Sequence, residues 1–102
     1  MAEIEVRSSR ETVSASPGDR VVIHLAENAT TGYRWVVAVL PGMLTLAADE
    51  LLPPTSTRPG AGGERRIALD VREAGTGEVV LSLERPWEGE PADRFVLSIA
   101  VS

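Results

Sequence analysis

Chemistry in this chain would have to come from few side chains. The single imidazole, His24, lies inside an alternating apolar run and has no second histidine at a metal-ligand spacing, so it reads as structural or solvent-facing. Two carboxylate pairs, Asp49-Glu50 and Glu88-x-Glu90, have the residue types for paired acid–base work, yet neither has a histidine, a lysine or an obvious enclosing site beside it. The absence of cysteine removes thiolate nucleophiles, thiolate metal ligands and disulfide staples. Carboxylates alone do not support a metal site here. The expectation is a chain that is not an enzyme and needs neither cofactor nor metal.

Three other stretches have the character of contact loops. In Asn28-Ala29-Thr30-Thr31-Gly32, Asn28 can close an Asx-type turn and Gly32 can adopt positive φ, while Thr30 and Thr31 can present hydroxyls from stiff side chains. The stretch equally suits a plain turn between two core strands, and Asn28-Ala29-Thr30 matches the glycosylation sequon only formally. In Gly60-Ala61-Gly62-Gly63, the glycines permit close backbone approach to a ligand, or simply make a flexible connection. It lacks the lysine and the following helix of a phosphate-binding loop. In Arg85-Pro86-Trp87, Pro86 restricts how Trp87 is presented. Facing solvent, Trp87 offers an amphipathic anchor; folded inward, it caps a core, and both readings are open. Arg85 either reaches an acidic partner or pairs locally with Glu84 or Glu88.

The elements that must hold these loops read as strands. Val21, Ile23 and Leu25 alternate with Val22 and His24; Tyr33, Trp35, Val37 and Val39 alternate with Arg34, Val36 and Ala38. The same period of two recurs at Ile67, Leu69 and Val71, where Arg66, Ala68 and Asp70 face outward, then at Val79, Leu81 and Leu83, and at Phe95, Leu97, Ile99 and Val101. Period two fits sheets with one buried side, which predicts an all-β sandwich or small barrel. From Met43 to Leu52, a short helix competes with an irregular strand. Pro17-Gly18, Pro41-Gly42 and Ala74-Gly75-Thr76-Gly77 mark turns, the last as a hairpin. If the chain reverses at every turn, the segments Asn28–Gly32, Pro59–Gly63 and Arg85–Asp93 all lie at one end. Loops on a rigid scaffold are where binding function resides.

Composition narrows the partners. A chain of 102 residues favours one domain, 1–102. Its 10 arginines are outnumbered by 15 acidic residues, for a net charge of −5, and form no basic run, which argues against nucleic acid. The N-terminal run MAEIEVRSS reads neither as a signal peptide nor as a membrane span, so a soluble protein is expected and its compartment stays open.

The order and spacing of Asn28-Ala29-Thr30-Thr31-Gly32-Tyr33-x-Trp35, Gly60-Ala61-Gly62-Gly63 and Arg85-Pro86-Trp87 resemble the chagasin family of cysteine peptidase inhibitors, over nearly the whole chain. The resemblance implies an immunoglobulin-like antiparallel β sandwich without disulfides. It also implies reversible inhibition of papain-like cysteine peptidases by a monomer binding one to one. The Asn28–Gly32 loop would be a central wedge, with Thr31 close to the catalytic cysteine. Gly60–Gly63 would contact one side of the cleft through its backbone, and Arg85 and Trp87 would grip the other. One position departs from the family pattern, which usually has proline where this chain has Ala29. A proline there would pre-order the wedge, an effect of about 0.4–1 kcal/mol. Two other readings differ in kind: a sandwich module that binds another protein or a carbohydrate through the same loops, and a structural domain with Trp87 buried.

Overall fold

The computed structural model describes residues 2–53 and 62–102. Among the described residues, eight strands form two four-stranded sheets: β1 (Glu3–Val6), β2 (Glu11–Ala15), β3 (Arg20–Glu27), β4 (Arg34–Val39), β5 (Leu44–Leu52), β6 (Gly63–Val71), β7 (Gly75–Glu84) and β8 (Asp93–Val101). One sheet has the order β1-β3-β6-β5 and the other β2-β8-β7-β4. The expected all-β sandwich is therefore the fold. Its pairings are antiparallel except at the N-terminus, where β1 runs parallel to β3 and β2 parallel to β8. No helix among the described residues is long and apolar enough to cross a membrane.

The core lies where alternation places it. Val21, Ile23, Ile67, Leu69 and Val71 face Val79, Leu81, Phe95, Leu97 and Ile99, all buried, with Trp35 closing one end. Four expectations are corrected. Val22 and Ala68, opposite in parity to the core rows, are nevertheless fully buried; they pair with each other in the two middle strands of their sheet. Val39 is exposed because the β4–β7 register slips between Val37 and Val39, turning the later side chain outward. Tyr33 precedes β4 and is not part of the core row. The Ala74–Gly77 link is not a hairpin, since β6 and β7 belong to different sheets and the chain crosses between layers there. Between the two candidates for Met43 to Leu52, the irregular strand holds: β5 has a register shift between Leu46 and Ala48.

Two carboxylates fasten the N-terminal region. Asp19 accepts hydrogen bonds from the backbone N–H of Ser16 and of Ala2, both at 2.9 Å, and these hold its carboxyl below its ordinary pKa. His24 lies on the outer face with its ring nitrogens 3.1 Å from Glu64 Oε2 and from Glu5 Oε1, a structural role remote from chemistry. The hydrogen bond from His24 also lowers the Glu64 pKa, aided by the charges of His24 and Arg7. Both carboxyls bind protons less tightly in the fold than in the unfolded chain. Stability is thus expected to be fully present above roughly pH 5 and to fall as pH drops through the lowered folded values. Urea midpoints measured from pH 7 down to pH 3 should show that decline, and it should shrink in Asp19→Asn. A flat profile would mean these bonds carry no net stability.

Candidate functional site

Topology explains why three loops gather at one end. Residues 53–62 join β5 to β6 within one sheet, and residues 85–92 join β7 to β8 within the other. The 28–33 loop links β3 to β4 and crosses from the first sheet to the second. A crossing loop must lie between the two hairpin loops, and it does. Gly62 sits against Asn28, since a Cβ on it would lie 3.6 Å from Asn28 Cβ. At the other end Gly32 meets the Trp87 indole, where a Cβ would lie 2.6 Å from Cη2. The sequence-predicted residues Asn28, Gly32, Gly62 and Trp87 thus form a contiguous row. Gly60 and Ala61 lie outside the described residues.

The central loop is tied to itself. Ala29–Thr31 form one turn of 3-10 helix. Asn28 Oδ1 accepts from the Thr30 N–H at 3.0 Å and from the Thr30 hydroxyl at 2.7 Å, while the Asn28 carbonyl accepts from the Thr31 hydroxyl at 2.8 Å and its N–H at 3.2 Å. Thr31 Oγ1 in turn accepts from the Tyr33 N–H at 3.3 Å. The threonine hydroxyls expected to face a partner therefore spend their protons inside the loop and offer a partner acceptor capacity only. Gly32 has φ +80°, the left-handed conformation that only glycine adopts without cost.

The aromatic loop is a tight turn, closed by the Glu88 N–H donating to the Arg85 carbonyl at 3.2 Å, with Pro86 and Trp87 at its corner. Proline favours the first corner position, so Trp87 is fixed at the second. Its side chain faces solvent, 69% exposed, which removes the reading of Trp87 as a buried core cap. Arg85 forms the local ion pair with Glu88 and lies 4.1 Å from the Tyr33 ring centroid and 5.2 Å from that of Trp87. Glu88 also accepts from the Tyr33 hydroxyl at 3.0 Å.

Beneath the row lies a buried ion pair that motif reading missed. Glu27, at the end of β3, is 4% exposed. Its Oε1 accepts from the Trp35 N–H at 2.6 Å and from Arg65 Nε at 3.1 Å, and its Oε2 accepts from Arg65 Nη2 at 2.6 Å. Arg65 continues to Asp49 at 3.0 Å, and the Trp35 indole N–H donates to the Ala26 carbonyl at 3.1 Å. The hydrogen bond to Glu27 raises the Arg65 pKa, so the guanidinium is permanently charged. The stems of the crossing loop are thereby stapled across the two sheets. Parity was the available signal. Glu27 continues the inward row Val21, Ile23, Leu25, and Arg65 continues the row Val71, Leu69, Ile67.

The arrangement is suited to contact rather than catalysis. Asp49 is engaged by Arg65, and Glu88 by Arg85 and Tyr33, so each carboxylate pair considered for acid–base work has a member committed to a structural bond. No group of three metal-ligating side chains occurs among the described residues.

Comparison with known proteins points the same way. Residues 14–99 match the family described as Chagasin family peptidase inhibitor I42. The chain is 33% identical over 98 residues to Amoebiasin-1 of Entamoeba histolytica, spanning 92% of this chain and 93% of that one. It is 34% identical over 88 residues to Chagasin of Trypanosoma cruzi, spanning 80% and 79%. Its structure resembles that of a cysteine protease inhibitor from Entamoeba histolytica with a TM-score of 0.88, at 27% identity and covering 99% and 96% of the two chains. PbICP-C, solved in complex with falcipain-2, shares the fold with a TM-score of 0.75 over 97% and 99% of the chains, at 16% identity.

Proposed function

The chain belongs to the chagasin family of peptidase inhibitors, and we propose from that membership that its three-loop end enters and blocks the active-site cleft of papain-like cysteine peptidases. The observation that carries this reading is the contiguous row from Gly62 through Asn28 and Gly32 to an exposed Trp87. Asn28, Ala29, Thr30, Thr31 and Gly32 form the wedge, with Thr31 nearest the catalytic thiolate. Gly60, Ala61, Gly62 and Gly63 line one wall of the cleft through their backbone; Arg85, Pro86 and Trp87 hold the other. The binding of falcipain-2 by PbICP-C supports a cysteine peptidase as the partner.

Blocking requires no reaction. A papain-like enzyme needs its thiolate and imidazole open to substrate, and a loop seated over them excludes substrate by occupancy. The Asn28 carbonyl oxygen already accepts two hydrogen bonds inside the wedge, so it is engaged within the loop and not offered to the oxyanion-hole donors that attack would need. A loop ordered before contact loses less freedom on binding. The internal bonds around Asn28 supply order that a proline at position 29 would otherwise add. An interface of about 800 Å² per partner is the usual size for protease–inhibitor pairs.

Steady-state inhibition titrations against papain and a cathepsin-type panel, with a serine peptidase as control, test the reading. Inhibition confined to the papain-like enzymes, with one-to-one stoichiometry, is expected. Trp87→Ala should weaken it by about 2 kcal/mol or more, roughly thirtyfold, as loss of an aromatic hot spot does. An unchanged inhibition constant in that variant would remove the aromatic loop from the interface.

A further inference from the structure

We propose that Tyr33 and Glu88 are positioning residues that lock the Trp87 indole against Gly32 before any peptidase is met, so that wedge and aromatic loop act as one preformed unit. The proposal rests on the reading of these loops as the peptidase-contacting face.

An aromatic side chain that is 69% exposed would ordinarily sample several rotamers, and binding would have to select one. Here three groups restrain it. The six-membered ring of the indole rests on Gly32, and the Arg85 guanidinium lies near both the Trp87 and the Tyr33 rings. The third restraint is Glu88, whose two carboxylate oxygens are divided between two loops. Oε1 accepts from Arg85 on its own loop, and Oε2 accepts from the Tyr33 hydroxyl on the wedge stem. Tyr33 is covalently next to Gly32, the residue on which the indole rests. The bridge therefore joins the only two backbone segments that must be in register for the indole contact to exist.

Stability does not account for this arrangement. A partly exposed ion pair within one loop and a cation–π contact at the surface contribute little to folding. Arg85 Nε is buried with no hydrogen-bond partner among the described residues, a cost accepted where the guanidinium is held between rings. Orientation of the indole is what the network secures. If binding needs the locked rotamer, apparent affinity falls in proportion to the locked fraction.

The test compares the wild-type protein with Tyr33→Phe, Glu88→Ala and Glu88→Gln. Tyr33→Phe keeps the ring stack and removes only the bridging hydroxyl. The indole N–H of Trp87 is followed by ¹⁵N relaxation in the free inhibitor, with the buried Trp35 indole as internal reference. Inhibition and association rates are then measured against papain. In Tyr33→Phe and Glu88→Ala, the Trp87 indole order parameter should drop while that of Trp35 and the melting temperature stay near wild type. The inhibition constant should rise about three- to tenfold, mainly through slower association, with Glu88→Gln intermediate because it retains an acceptor. An indole order parameter unchanged in both variants overturns the lock, as does a loosened indole with an unchanged inhibition constant. The relaxation measurement needs no enzyme. A loosened indole in a protein whose wild type fails to inhibit papain supports the lock and counts against the peptidase reading instead.

Discussion

Glu27→Ala is expected to destabilise the protein by about 3–5 kcal/mol, because it breaks a buried ion pair from one side only. The Glu27 side chain is 2% exposed and that of Arg65 14%, so neither reaches bulk water freely. Removing the carboxylate leaves the Arg65 guanidinium with Asp49 as its remaining partner and strands the Trp35 N–H in the core. Asp49 is partly exposed and relieves some of the charge, which places the effect nearer the lower figure. Against a total of about 5–15 kcal/mol for a domain of this size, even that is a large share. Urea unfolding followed by Trp35 fluorescence measures it. The control is Glu27→Ala combined with Arg65→Met, which leaves no buried charge and should recover part of the loss. A double variant as unstable as the single one would show that the Trp35 N–H, and not the stranded cation, sets the cost.

The same pair shows how far alternation can be read. Inward rows were legible because hydrophobic side chains recur every second residue through β3, β6, β7 and β8, and their direction put three loops at one end. Glu27 and Arg65 obey the same parity at the ends of their rows. Alternation alone does not single them out, because a charged residue beside a loop ordinarily reads as the place where burial stops. What pairs them is the β3–β6 register, in which Leu25 opposes Arg65 and Glu27 opposes Gly63, and register between distant segments has no local signature.

The strands that sequence did not disclose fail for a related reason. β1 and β2 turn only two residues each toward the core, Ile4 and Val6, and Val13 and Ala15, too short a run for alternation to stand out. Neither pairs with the strand next to it in the chain: β1 lies parallel to β3, past β2, and β2 lies parallel to the distant β8, through Ala15 and Val101. In β4 and β5 the alternation is present but broken by register shifts, which is why alternation alone puts Val39 on the wrong face. Among the loops, residue types identified Asn28, Gly32 and Trp87 individually. Their contact depends on the crossing of one loop between sheets, a property of topology alone. Tyr33 is the opposite case: its period-two place ahead of Trp35 and Val37 suits a core residue, and the structure uses its ring and hydroxyl to join two loops.

Gly32→Val is expected to reduce inhibition by about 3–4 kcal/mol, a factor of several hundred, with the sandwich intact. Two penalties coincide at this position. At φ +80° a β-branched residue meets steric strain of about 1–2 kcal/mol that glycine does not. Its Cβ would also lie 2.6 Å from Trp87 Cη2, closer than carbon atoms tolerate. The strain is relieved if the loop backbone rotates, but rotation pulls the Asn28–Thr31 bonds out of alignment. The clash is relieved if the indole swings away, but that surrenders an anchor worth about 2 kcal/mol or more. No single adjustment relieves both, which is why the expected loss exceeds that of Trp87→Ala. Gly32→Ala presents the same first carbon with less backbone strain and should fall between glycine and valine. Inhibition constants for the three proteins, with far-UV circular dichroism to establish that the sheets persist, decide the matter. Wild-type inhibition by a folded Gly32→Val protein would mean that the contact between Gly32 and Trp87 plays no part in holding the enzyme.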